Sequence, residues 1–390
     1  MKITSIECIP LSIHFVKPIV MSGGAAACSD AVLLKIHTDE GITGISETGD
    51  TSMWYMGESQ DSILYNIVNV FGPQILLGED PFNIEKIVAR MDKAVKLNNQ
   101  SKAVVDHALH DIMGKALGVP VYKLLGGLCN EKIPLGFVMS SGSADVVADE
   151  GLSLIKAGFK CLKLKVGAGT IEEDVEMVAE LRKAVGNDIK IMIDANGGWN
   201  YFQALRMLKK AARYDIYIAE QPVPYWDMDG MARLRRNVEM PVFADEAAKE
   251  LNDLIKLTQR DAVDGFFLKI PKAGGISKSR KWVAIAQSLG LNVMCGCMID
   301  TGLGTAASAH FLAATEWMGR IEQETIGPLN LYNIPDTVSK PITNDLAVNV
   351  PRYENGYLYP PDGPGLGIEL NEAVIPDLMT PGKSPITIGK

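Results

Sequence analysis

Apolar and polar residues alternate at period two through residues 2–14, 31–38 and 43–48, which predicts three β-strands. Between the last two, HTDEGITG supplies Asp39 and Gly41 as hairpin-turn chemistry. The spacing becomes helical over 60–75, 82–97 and 101–117. In the last stretch Val104, Val105, Leu109, Ile112, Met113 and Leu117 form an amphipathic stripe with Asp106, His110 and Lys115 among them, ended by Gly118 and Pro120. Three strands followed by three helices predict an α+β unit over residues 1–128.

From Lys132 strand and helix alternate. Apolar strands are expected at 133–139, 161–166, 190–194, 216–220, 241–245, 264–270, 291–295 and 320–324, with amphipathic segments such as 171–185 and 201–213 between them. Eight strands at this spacing predict a parallel (β/α) barrel rather than an open sheet, over 129–327. After Pro328 the pattern dissolves into a Pro/Gly/Asn-rich tail, densest in PPDGPGLG at 360–367. Such a tail, residues 328–390, is expected to pack back on the N-terminal unit. The predicted fold class is α/β, a TIM-type barrel with an α+β cap.

Candidate chemistry begins in KCLKLKVG, residues 160–167. Cys161, Lys163 and Lys165 point one way and Leu162, Leu164 and Val166 the other. Taken alone, this strand reads most simply as a solvated edge. At a barrel mouth, however, repulsion and desolvation would lower the pKa of one lysine until it could act as a base. The next strands decide between these readings: IKIMID ends at Asp194, IYIAE at Glu220 and PVFADE at Asp245. Each acid alone would serve as a helix N-cap. Three in succession, on strand ends that share one face of a barrel, instead predict a bound cation. Rigidly held hard oxygens suit Mg²⁺, with Mn²⁺ as a substitute. DGFFLKI ends near Lys269, and the second and sixth strands of an eight-stranded barrel face each other. Lys165 and Lys269 would then flank the metal. That arrangement suits removal of the weakly acidic α-proton of a carboxylate: a divalent cation stabilises the enediolate, one lysine takes the proton, and the other returns it or assists a leaving group.

Composition narrows the class without changing this picture. Of 390 residues, 47% are hydrophobic and 22% charged, enough for a large core and more than one domain. The net charge of -9 and the lack of a long basic run argue against nucleic acid or an anionic membrane as partner. No apolar run approaches the roughly 18 residues of a membrane span, and MKITSIECIPLSIHF reads as a strand rather than a signal peptide. The six cysteines fit neither a zinc knuckle nor a redox pair and read as buried free thiols in a reducing cytoplasm. His107 and His110 read as helix packing rather than zinc ligands.

The KLK pair, the acids Asp194, Glu220 and Asp245, and FLKIPKAGGI resemble the enolase superfamily, specifically its muconate-lactonizing-enzyme subgroup. DIMGKALGVPVYKLLGG (111–127), DANGGW (194–199), EQP (220–222) and MIDTGLGTAASAH (298–310) extend the resemblance over most of the chain. It implies a capping domain with a modified (β/α)₇β-barrel, Mg²⁺ on Asp194, Glu220 and Asp245, and Lys165 and Lys269 as bases, as is established for lysine-and-magnesium sites of that superfamily. Lys163 would lower the pKa of Lys165 and touch the substrate carboxylate. The mandelate-racemase subgroup is disfavoured, since no histidine lies between His110 and His310. Members are often symmetric homo-oligomers.

The resemblance also implies two cap loops over the barrel mouth, matching 17–30 and 48–59. Met21 lies in the first, and Trp54 and Tyr55 in the second; Asn196 lies in DANGGW. Neither loop carries an arginine for a distal carboxylate. Asp300, Glu322 and Glu324 instead place acid near the seventh and eighth strand ends. Acid with aromatics predicts a small carboxylate carrying a protonated amine. The expected reaction is epimerisation or racemisation of an amino or imino acid of proline-derivative type, or its dehydration. A muconate-type cycloisomerase, suggested by ETIGPL at 324–329, is the alternative, and a non-catalytic binding protein is the remote one.

Overall fold

A computed structural model describes residues 1–332, 342 and 344–390; the expectations for the tail that concern 333–341 and 343 lie outside the described residues. The N-terminal alternation builds an antiparallel sheet of β1 (Ile3–Met21), β2 (Gly24–Thr38) and β3 (Thr43–Glu47). The expected first loop, 17–30, is instead the far end of the β1–β2 hairpin, with Ile19 paired to Ala26 and Met21 to Gly24 across a turn at Ser22 and Gly23. Gly24 makes this turn possible with φ +123°, which L side chains rarely adopt. The expected helix at 60–75 is α-helical only over Gln60–Tyr65 and continues as a π-helix, Asn66–Leu76.

The helix Asn99–Leu117 is buried around nearly its whole girth, so its stripe is not the one-sided pattern that the sequence suggests. It is wedged between sheet and barrel. A Cβ at Gly44 of β3 would collide with the Ala108 carbonyl, and on the other side Asp106 accepts from the Ile276 N–H at 2.7 Å, capping the barrel helix Ile276–Leu289. His107 and His110 are buried within this helix, as helix packing requires.

In the expected first barrel strand, 133–139, the chain splits into β4 (Ile133–Pro134), outside the barrel, and β5 (Gly136–Met139). Then follow β6 (Cys161–Lys165), β7 (Lys190–Asp194), β8 (Ile216–Glu220), β9 (Val242–Ala244), β10 (Gly265–Leu268) and β11 (Asn292–Cys295), each parallel to its neighbour in chain order. The expected eighth strand, 320–324, is reduced to a bridge. Gln323 N–H donates to the Pro134 carbonyl at 2.8 Å, Gly136 N–H donates to the Gln323 carbonyl at 2.8 Å, and Glu324 N–H donates to the Cys295 carbonyl at 2.7 Å. The buried Gln323 side chain completes the closure by accepting from Cys295 N–H at 2.6 Å. An amide side chain thus takes over ladder positions that backbone would fill in a longer strand.

Inward-pointing Cys161, Met192, Ile218, Phe243, Phe267 and Met294 fill the barrel as an apolar plug. The tail returns through β12 (Tyr353–Glu354) and β13 (Tyr357–Leu358), which pairs with β4, to β14 (Ile386–Gly389), which joins the cap sheet beside β1. All six cysteines are free, but only Cys8, Cys161 and Cys295 are buried; Cys129 is exposed, and Cys28 and Cys297 are half-buried. No helix among the described residues is long and apolar enough to cross a membrane.

Candidate active site

Parallel register brings the strand-end residues together. Lys165 of β6 is level with Asp194 of β7, and Asp194 with Glu220 of β8. Asp245 follows β9 directly, and Lys269 follows β10 as the residue that starts the short helix Ile270–Ala273. The side chains converge above the apolar plug. Lys163 Nζ donates to Glu220 at 2.7 Å and to Glu324 at 2.5 Å and stands 4.4 Å from the Phe267 ring centre. Lys165 Nζ donates to Asp194 at 2.5 Å and to Asn196 Oδ1 at 2.8 Å. Lys269 Nζ reaches Asp245 at 3.1 Å from the other side of the curled sheet, where β7, β8 and β9 separate its strand from β6.

At Lys163 and Lys269 the neighbouring acids, rather than ammonium repulsion, set the electrostatics. Burial disfavours the Lys163 ammonium, yet Glu220, Glu324 and Asp194 together hold its pKa above the ordinary lysine range. Burial opposes Lys269 in the same way, and Asp245, Glu220 and Glu246 outweigh it. At Lys272, by contrast, burial and a neighbouring ammonium, that of Lys269, prevail and lower the pKa. Burial and the neighbouring Asp194 charge push Glu220 well above the carboxylate range.

Among the described residues no three metal-ligating side chains are already gathered around a point, because ammoniums stand between the carboxylates. The donor set nevertheless fits a hard divalent cation. Glu220 Oε1 is buried with no hydrogen-bond partner, beside Asp194 and within a cluster that also holds Asp245, Glu246 and Glu324. An orphaned buried carboxylate oxygen costs free energy unless a cation meets it.

One cavity is lined by Lys163, Lys165, Lys269, Asn196, Glu324, Met21, Trp54 and Tyr55, so the structure brings together eight of the residues singled out above. Tyr55 has a different place from a free substrate contact: it is buried, donates to Asp245 Oδ1 at 2.6 Å, and lies with its ring 4.0 Å beneath Lys269 Nζ. Trp54 remains half exposed at the rim. The three acids expected to meet a substrate cation are otherwise engaged. Glu324 is held by Lys163. Asp300 is buried behind the wall, accepting from the Met298 N–H at 3.3 Å. Glu322 sits at the opposite end of the barrel, 2.9 Å from Lys190 at the start of β7. Alternation on the closing segment gives the face of an acid but not its depth, hence the miss.

Three residues went unnoticed in the sequence. Lys272 is buried, with Nζ donating to Asp245 Oδ1 at 2.6 Å and to the Phe267 carbonyl at 2.8 Å; a second lysine in the apolar run KIPKAGG was its signal. Glu246 accepts from Asn196 Nδ2 at 2.9 Å, and burial with the Asp245 charge pushes it up to about 7; it stands next to Asp245 in PVFADE. Asp50 lines the cavity with no comparable signal.

Two family models match the chain: the mandelate racemase / muconate lactonizing enzyme N-terminal domain over residues 6–126, and the enolase C-terminal domain-like family over 146–374. An N-succinyl-L-Arg/Lys racemase of Bacillus cereus is 33% identical over 97% of this chain and 98% of its own. Muconate cycloisomerase 1 of Rhodococcus opacus is 32% identical over 95% and 96%. Among solved structures, a mandelate racemase/muconate lactonizing family protein from Azoarcus sp. EbN1 superposes with TM-score 0.93 at 49% identity over 100% of both chains. A dipeptide epimerase from Enterococcus faecalis V583, complexed with Mg and L-Leu-L-Tyr, gives 0.85 at 31% identity over 95% of this chain and 100% of that one.

Proposed function

This chain belongs to the mandelate racemase and muconate lactonizing enzyme family of the enolase superfamily and is an isomerase-type enzyme; from that premise we propose that it exchanges the α-proton of an amino- or imino-acid carboxylate. The observation that carries this reading is that Lys165 and Lys269 line one cavity from opposite sides of the barrel. Lys163, buried beneath them, holds the substrate carboxylate. Lys165 takes or delivers the proton on one face of the α-carbon and Lys269 on the other. Asp194, Glu220 and Asp245 would hold Mg²⁺, or Mn²⁺ in its place. Such an ion would supply positive charge to stabilise the enediolate. Magnesium in the dipeptide epimerase structure supports this assignment.

Asn196, held by Glu246, keeps Lys165 aimed at the cavity. Tyr55 does the corresponding service for Lys269 through Asp245 and its ring face. If the substrate carries a 3-hydroxyl, the same intermediate loses water instead of regaining a proton, which makes the enzyme a dehydratase. A cycloisomerase is the second reading, favoured by the muconate cycloisomerase relative and by Glu324, Gly327, Pro328 and Leu329.

The test is α-proton exchange in D₂O over a library of carboxylates. Chelation of divalent ions should abolish exchange, and added Mg²⁺ should restore it. Undiminished turnover without metal would refute the assignment of the three carboxylates. Preferred turnover of cis,cis-muconate would put the cycloisomerase in its place.

A further inference from the structure

The cavity contains an acid that no lysine takes. Asp50 follows β3 and shares the cavity wall with Trp54, Met298 and Ile299. Its backbone is held from two sides: its N–H donates to the Met298 carbonyl at 2.7 Å, and its carbonyl accepts from Gln100 Nε2 at 2.7 Å. Gly49 lets the chain pass at this point, with φ +64°, and a Cβ there would strike Asp300 Oδ1. The adjoining segment is fixed at some conformational cost, since the β-branched Ile299 has φ +53°.

The Asp50 side chain has one hydroxyl donor, Ser52 Oγ on Oδ2. Among the described residues no ammonium, guanidinium or imidazole lies at ion-pair distance from it, although Lys163, Lys165 and Lys269 line the same cavity. Burial pushes the carboxyl up to about 6 against the Ser52 hydrogen bond, with the Asp30 charge adding to the rise. The other cavity acid, Glu324, is neutralised by Lys163. Asp50 is therefore preorganised, largely desolvated and without an ion-pair partner, the Lys269 charge acting on it only from a distance, a state that a cationic ligand relieves.

We propose that Asp50 is the specificity-determining residue of this site: it receives the protonated primary or secondary amine of a substrate whose carboxylate lies at Lys163, with the Trp54 indole beside the same charge. The inference rests on the α-proton reading above and adds that the amine is free. An N-acylated amino acid, with a neutral amide nitrogen, is selected against.

The experiment uses the full-length, Mg²⁺-loaded protein, wild type and Asp50→Asn, with paired probes: L-proline against tetrahydrofuran-2-carboxylate, and L-lysine against N-succinyl-L-lysine. Binding is read by calorimetry and α-proton exchange by mass spectrometry. Wild type should favour the free amine of at least one pair by about thirtyfold, the value of one desolvated cation contact. Asp50→Asn should reduce this to about threefold or less, through KM rather than kcat, while Asp50→Glu should restore part of it. Thermal melting shows that each variant is folded. An unchanged preference in Asp50→Asn, or equal binding of amine and neutral analogue by wild type, overturns the proposal. Amine-selective binding that depends on Asp50 but brings no proton exchange supports Asp50 and refutes the lysine chemistry.

Discussion

Two lysine–glutamate pairs lie inside the barrel at opposite ends of the apolar plug, and their glutamates are only two residues apart in the chain. At the bottom, Lys190 and Glu322 meet at 2.9 Å with the lysine 42% exposed. At the top, Lys163 and Glu324 meet at 2.5 Å with both side chains under 5% exposed. The chemistry is the same; the surroundings are not. Lys190 lies against a tyrosine ring on one side and is open to solvent on the other. Around Lys163 stand three carboxylates, with further lysines behind them, and water is largely excluded. What makes a site here is convergence under burial, because charges sealed from water act on one another much more strongly.

The largest effect should come from removing one acid at the top. Glu220→Gln is expected to lower proton exchange by at least about 10²–10³-fold, the usual scale for losing one preorganised electrostatic group. Its melting temperature should stay close to that of wild type, since a carboxylate above the plug is not apolar core. Collapse of the fold in this variant would mean that the top is a structural network like any other.

An intermediate case lies in the seam between cap and barrel. Glu47 is buried, accepting from Thr301 N–H at 2.6 Å and Gly304 N–H at 2.9 Å. Burial, with Asp300 adding, pushes it up from 4.5 to about 8. The folded pKa exceeds the unfolded one, so its contribution is complete below pH 4.5 and fades as pH rises through about 8. Denaturant titrations at several pH values should show wild type losing stability relative to Glu47→Gln across that window. A difference that stays constant with pH would rule out the titration.

The smallest effect is expected at the bottom. Glu322→Gln removes a half-exposed pair, which is worth about 1 kcal/mol or less. Its exchange rate should match wild type within a factor of about two. A large loss of activity would show that the two ends are coupled through the plug, and the contrast drawn above would fail.

Sequence made the top of the barrel legible because strand–helix alternation fixes which end of each strand faces the mouth. Once β6 to β10 were placed, Lys165, Asp194, Glu220, Asp245 and Lys269 had to meet. The roof was less legible. Residues 17–30 are rich in Gly and Ala and read as a loop, whereas pairing with the opposite strand holds them in an extended hairpin. Depth was illegible too: Glu322 and Glu324 share a face, and only the register against β4 and β11 shows that one lies below the plug. Tyr55 looked like a substrate contact because Asp245, its partner 190 residues away, cannot be inferred from local pattern.

The most direct test of the facing lysines is stereochemical. Lys165→Ala and Lys269→Ala are each offered both enantiomers of a turned-over substrate in D₂O with Mg²⁺, and deuterium at the α-carbon is followed by mass spectrometry. Each variant should lose exchange with one enantiomer while keeping it with the other, and the two variants should fail on opposite hands. Equal loss for both enantiomers in both variants would contradict the account, because the lysines would then not address opposite faces of one carbon.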